Sequence, residues 1–112
     1  MATWFTDDEV RGLQPQLVEM LDEARGAAGV PFVITSGLRT PAENVACGGA
    51  PDSAHLRGLA VDLRAEDSHV RSSVVRALYR AGFRRLELCP RHVHADVDPS
   101  LPQDVLVLGP DR

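Results

Sequence analysis

Lysine is absent from this chain of 112 residues: its twelve basic residues are all arginine, a bias that carries no functional reading of its own. Basic residues are also outnumbered, 12 against 16 Asp and Glu, which leaves a net charge of -4 and a pI near 5.5. That balance argues against nucleic acid as the main partner, because a phosphate backbone is met by clustered positive charge. Cysteine is scarce. Cys47 and Cys89 lack C-x-x-C spacing, so neither a zinc ribbon nor a thioredoxin-like motif is indicated, and free, partly buried thiols are expected rather than a disulfide. No apolar run approaches the ~18 residues that a membrane span needs. Met1 to Glu9 has neither a basic n-region nor an apolar h-region, so synthesis in the cytoplasm without a signal peptide is expected. Repeats and low-complexity segments are missing too. The length suits one hydrophobic core, residues 1–112 as a single domain, with no room for a second.

What is present is an ordinary hydrophobic fraction, 44%, arranged with clear periodicity. Thr6-x-x-Glu9 is a capping box that opens a short helix in this reading. Pro15 suits the first turn of a longer helix running to about Ala28, with Leu17, Leu21, Ala24 and Ala28 on one face and Gly29 as its stop. Phe32-Val33-Ile34 reads as a strand, and Pro41 to about Cys47 as a short helix before Gly48-Gly49. Ser68 is the expected cap of a helix whose buried stripe is Val70, Val74, Leu78 and Ala81, ending at Gly82. Strands are expected at Arg85 to Leu88 and His92 to Val97, and an edge strand at Val105 to Leu108. The fold class expected is α+β, a small, mainly antiparallel sheet flanked by helices.

Chemistry concentrates in Ser53-Ala54-His55-Leu56-Arg57-Gly58-Leu59-Ala60-Val61-Asp62 and in the later His92-Val93-His94. His55, Asp62 and His94 make a candidate zinc set: catalytic zinc characteristically takes three nitrogen or oxygen ligands from the protein and leaves a fourth position to water. Asp62 is the one ionisable residue in the apolar run from Leu59 to Leu63, and a carboxylate buried in a strand must be paired or bound to a cation. His92 and His94 alternate with Val93, so both imidazoles leave the same face of a strand. Asp96 is expected to orient an imidazole by accepting its far N–H rather than to bind metal directly. His69, at the start of a helix, is expected to be exposed and uninvolved. Arg57 and Arg64 are expected to be solvated charges.

The motifs Ser53-x-His55-x-x-Gly58-x-Ala60-x-Asp62 and His92-x-His94, with the upstream Thr35-Ser36-Gly37-Leu38-Arg39-Thr40-Pro41, resemble the zinc D-alanyl-D-alanine peptidases, relatives of lysostaphin-type peptidases and of the hedgehog signalling domain. Asn44 and the segment Gly48 to Ser53 follow the pattern of the small bacterial and phage members. The resemblance spans about Pro31 to Val97. It implies zinc at His55, Asp62 and His94, with Arg39 binding substrate and steadying an oxyanion, and His92 assisting proton transfer. Each role suits its residue. A zinc ion lowers the pKa of bound water from ~15.7 towards ~7, arginine offers a permanent planar fork, and a second imidazole titrates near neutrality.

Several branches of that family carry an acidic general base three positions before the last zinc histidine, where this chain has Arg91. The base is therefore His92 or the upstream Glu87, whose place in Leu86-Glu87-Leu88 is read as a solvated strand face. Leu38 stands where an aromatic is common and Asp52 where Asn is common. The implied function is hydrolysis of a peptide bond in peptidoglycan, as a D-Ala-D-Ala carboxypeptidase or a stem or cross-bridge endopeptidase, by a monomer acting at the cell wall after lysis or phage delivery. The alternative is a zinc-stabilised binding domain of the hedgehog type, without turnover.

Overall fold

Pro15 and Gly29 frame the first helix, α1 (Pro15–Ala28), in the computed structural model, which describes residues 2–109. Proline there costs no hydrogen bond, and Gly29 takes the left-handed C-cap at φ 71°. Leu17, Leu21 and Ala24 are buried from its inner face, with Ala28 partly buried beside them. The Gln14 N–H donates to the Gly58 carbonyl at 2.9 Å, which ties the start of α1 to the loop that follows His55. A second helix, α2 (Pro41–Ala46), opens on a reciprocal capping box between Thr40 and Glu43. The third, α3 (Ser68–Arg80), buries Val74, Ala77 and Leu78 and packs against α1. Its cap is Asp67 rather than Ser68: Asp67 has extended backbone and accepts the Val70 N–H at 2.7 Å, so Ser68 already lies within the helix.

Five strands form one sheet: β1 (Ile34–Ser36), β2 (Ala60–Arg64), β3 (Arg85–Leu88), β4 (His92–Asp96) and β5 (Val105–Leu108), in the order β1-β2-β4-β3-β5. The expected α+β class holds, and the sheet is mixed: β1/β2, β2/β4 and β3/β4 are antiparallel, whereas the edge strand β5 runs parallel to β3. The chain after Asp96 crosses β3 and turns at Asp104, φ 59°, before β5 begins. The strand expected at Phe32-Val33-Ile34 starts at Ile34 instead. Phe32 is buried in the core, and the register slips between Ile34 and Ser36, a bulge that re-aims the chain leading to Arg39. The Thr6/Glu9 capping bonds form, at 2.9 and 3.2 Å, but close only a turn, too short to propagate as a helix before Gly12 at φ 77°. Cys89 is buried and in no disulfide. Cys47 is free but exposed at the end of α2, not partly buried.

Strand alternation sorts the sheet into an oily face and a polar one. Val61, Leu63, Val93, Ala95 and Leu86 join Leu17, Leu21, Val74, Leu78 and Phe83 in the core. Asp62, His92, His94 and Asp96 occupy the alternate positions of the two central strands. Between β1 and β2, the short 3-10 turn Ala54–Arg57 ends on Gly58 at φ 70°. A Cβ on Gly58 would run into the Gly12 carbonyl oxygen, whereas one on Gly29 would meet nothing. Gly58→Ala is therefore expected to destabilise the fold more than Gly29→Ala, which bears only the left-handed backbone cost of roughly 1–2 kcal/mol. Chemical denaturation of the two variants measures the difference, and equal losses would show that the close approach carries no energy.

Candidate metal centre

Each member of the site is delivered by a different local device. Ser53 caps the 3-10 turn, its Oγ accepting the His55 N–H at 3.3 Å, and the turn aims His55 inwards until 1% of it is exposed. Asp62 and His94 are direct cross-strand partners on β2 and β4. His55 Nε2 lies 3.2 Å and His94 Nδ1 3.0 Å from the same oxygen, Asp62 Oδ1. One donor atom from each of the three residues falls within 4.8 Å of the others.

The far sides of the two imidazoles decide what this cluster can hold. His55 Nδ1 is 2.8 Å from the Gly37 carbonyl, which only accepts, so that nitrogen carries the proton. His94 Nε2 is 2.8 Å from Asp96 Oδ2, a fully buried carboxylate, so there too the proton sits on the far nitrogen. In the neutral rings the lone pairs of His55 Nε2 and His94 Nδ1 therefore converge on an anionic oxygen. Such an arrangement requires a cation between them, a proton or a metal ion. Two imidazoles and a carboxylate with oriented outer partners form a donor set that suits zinc.

Electrostatics agree. Burial alone would raise the Asp62 pKa, but the hydrogen bonds and charges of His55 and His94 hold it well below the usual carboxylate range. Burial would likewise lower that of His94, yet the hydrogen bonds to Asp62 and Asp96 outweigh it and push it up to about 9. Arg39 contributes from the other side of Asp62: Nη2 donates to Oδ2 at 3.1 Å, Nε to Ser36 Oγ at 2.9 Å and Nη1 to Asn44 Oδ1 at 3.3 Å. Asn44 is itself buried and held by the Ala50 carbonyl at 2.8 Å.

Two cavities meet at Arg39 and Asp62, of about 460 and about 260 Å³. His92 lines the larger with Leu38, Glu43 and Cys47, its Nε2 3.8 Å from Asp62 Oδ2 and outside the triad. The smaller runs past His55, His94, Asp96 and Asp52. Glu87 lines it too, a correction to the expectation of a solvated face: it pairs with His94 across β3 and β4, so its side chain shares the polar face of the sheet while Leu86 enters the core. His69 is exposed in the first turn of α3, and Arg64 is exposed beside Glu66. Arg57 departs from a purely solvated role by pairing with the buried Asp98. Arg85, which no sequence motif singled out, donates to Asp96 Oδ2 at 3.0 Å. The signal for it was register: once β3 and β4 pair, Arg85 lies opposite Asp96.

The family model for Peptidase M15 matches residues 3–96. The fold is similar to the crystal structure of the Serratia marcescens L-Ala D-Glu endopeptidase ChiX, with 25% identity and a TM-score of 0.60 over 88% of this chain and 89% of that one. Sequence comparison with curated proteins gives no match.

His94 sets a pH signature for the metal-free protein. A folded-state pKa of about 9 against an ordinary 6.5 means that the folded form holds this proton more tightly, so its stabilisation is complete below pH 6.5 and lost as pH rises through about 9. The thermal midpoint of chelator-treated protein is expected to fall across that interval, and His94→Ala should remove the decline. Zinc competes for the same lone pair, so metal binding near neutral pH should release protons. A pH-independent midpoint in chelator, with no protons released on adding zinc, would contradict the assignment.

Proposed function

The chain belongs to the Peptidase M15 family and is a peptidase, and from that premise we propose that it hydrolyses an internal peptide bond of peptidoglycan with a zinc ion held by His55, Asp62 and His94. The observation that carries this reading is the pair of lone pairs converging on Asp62 Oδ1 between two cavities. Zinc in that position supplies an acidified water and a Lewis acid for the scissile carbonyl. Space on both sides of Asp62 suits a chain that continues past the cleaved bond in both directions, and the ChiX likeness supports a stem-peptide bond of that kind. Release of a terminal D-Ala would instead call for one closed side.

The chain's own groups divide the remaining work. Arg39 is held by Ser36, Asn44 and Asp62, and each of its Nη atoms uses one N–H in those bonds. The second N–H on each remains for a substrate oxygen, so the fork can meet a developing oxyanion without reorganising. His92 borders the larger cavity and is the proposed proton carrier; Glu87, across the sheet on the far side of His94, is the alternative. Arg91 stands where several branches of the family carry an acidic base, the feature that favours a recognition domain, but membership of a peptidase family weighs for turnover.

Mass spectrometry of muropeptides digested with and without chelator tests the reading. Internal cleavage that chelation abolishes is expected; loss of a single terminal D-Ala would make the protein a carboxypeptidase, and an unchanged digest at full zinc occupancy would overturn the peptidoglycan assignment. Arg39→Ala and His92→Ala should keep zinc and lose activity by about 10²-fold or more. Full activity in His92→Ala with none in Glu87→Gln would transfer the proton to Glu87.

A further inference from the structure

The geometry points to Arg85 as a positioning residue for the metal, acting at two removes: we infer that Arg85 fixes the Asp96 carboxylate, and that Asp96 fixes the ring of His94 with Nδ1 turned to the ion. This rests on the reading of His55, Asp62 and His94 as zinc ligands. Asp96 Oδ2 stands between His94 Nε2 at 2.8 Å and Arg85 Nε at 3.0 Å, and Oδ1 takes the Asp98 N–H at 3.3 Å. Every polar contact of this fully buried carboxylate is thus directional, and its countercharge lies opposite it on the neighbouring strand.

The arginine is itself fixed. Its Nη1 donates to the Pro102 carbonyl at 3.0 Å in the segment leading to β5. The crossover that leads to β5 therefore braces an arm that ends on His94. Three consecutive segments converge here: Arg85 on β3, His94 and Asp96 on β4, and Pro102 in the crossover beyond them. The physical demand is clear, since a ligand imidazole free to rotate about its side-chain torsions loses entropy each time it binds a metal, whereas a ring already held by its far N–H does not. An acceptor on the far N–H also raises the basicity of the inward nitrogen as a ligand.

A coupling experiment isolates this relay. Zinc dissociation constants would be measured by chelator competition for the unmodified protein and for Asp96→Ala, Asp96→Asn, Arg85→Gln and the double variant Arg85→Gln with Asp96→Ala. Cobalt(II) spectra of the same proteins report the coordination geometry, and circular dichroism reports folding. Asp96→Ala is expected to weaken zinc roughly 10- to 100-fold and to perturb the cobalt spectrum, with smaller effects in Asp96→Asn, which keeps an acceptor for His94 Nε2. Arg85→Gln should weaken zinc by about tenfold in the native background and have little further effect once Asp96 is Ala, because the oxygen that Arg85 shares with His94 has then been removed.

Equal effects of Arg85→Gln in both backgrounds would overturn the relay, as would native zinc affinity in a folded Asp96→Ala protein. Failure of the unmodified protein to bind zinc is a different outcome: it would overturn the metal assignment itself and the relay with it. Should Asp96→Ala not fold, Arg85→Gln decides alone: native zinc affinity and a native cobalt spectrum in that folded protein would overturn the relay.

Discussion

Everything in this structure turns on the burial of one carboxylate. Asp62 is 6% exposed in the middle of a sheet whose neighbouring positions are fully buried Val61 and Leu63. An ionised group cannot stay there alone, so the surrounding chain is arranged to supply charge and hydrogen: His55 and His94 on one oxygen, Arg39 on the other. Those partners come from β4, the 3-10 turn and the loop after β1, and the β1-β2-β4 order of the sheet brings them to Asp62.

Placing the polar cluster on the sheet surface away from α1 and α3 solves a packing conflict. The same two-residue alternation that drives Val61, Leu63, Val93 and Ala95 into the core turns Asp62, His92, His94 and Asp96 the other way. Stability and chemistry are thus assigned to opposite faces of one layer. A one-residue slip between β2 and β4 would exchange them, and the well-packed hydrophobic face prevents it.

Outer partners extend the cluster beyond the triad. The Gly37 carbonyl and the Asp96 carboxylate each hold the proton of one imidazole, leaving the inward nitrogens as acceptors. Gly49 completes the support for Arg39: a Cβ there would collide with Asn44 Oδ1 and come within 3.1 Å of Arg39 Nη1. The triad is therefore preorganised by groups outside it.

The sequence by itself determined the elements that rest on local physics. Apolar periodicity, Pro15, Gly29 and the Thr40/Glu43 box define α1 and α2, and strand alternation alone puts His92 and His94 on one face. It also made His55, Asp62, His94, Arg39 and His92 legible as a group through their resemblance to a known family motif, with Asp96 read separately as an outer partner of an imidazole. Tertiary structure decided what depends on how strands pair, even strands that follow one another in the chain. Glu87 could be read as solvated until the β3/β4 register set it opposite His94, and Arg85 carried no signal until the same register set it opposite Asp96. The parallel direction of β5, the exposure of Cys47 and the Arg57 pairing with Asp98 belong to the same class. Local periodicity fixes which way a side chain points from its own strand; only the pairing of strands fixes what it meets there.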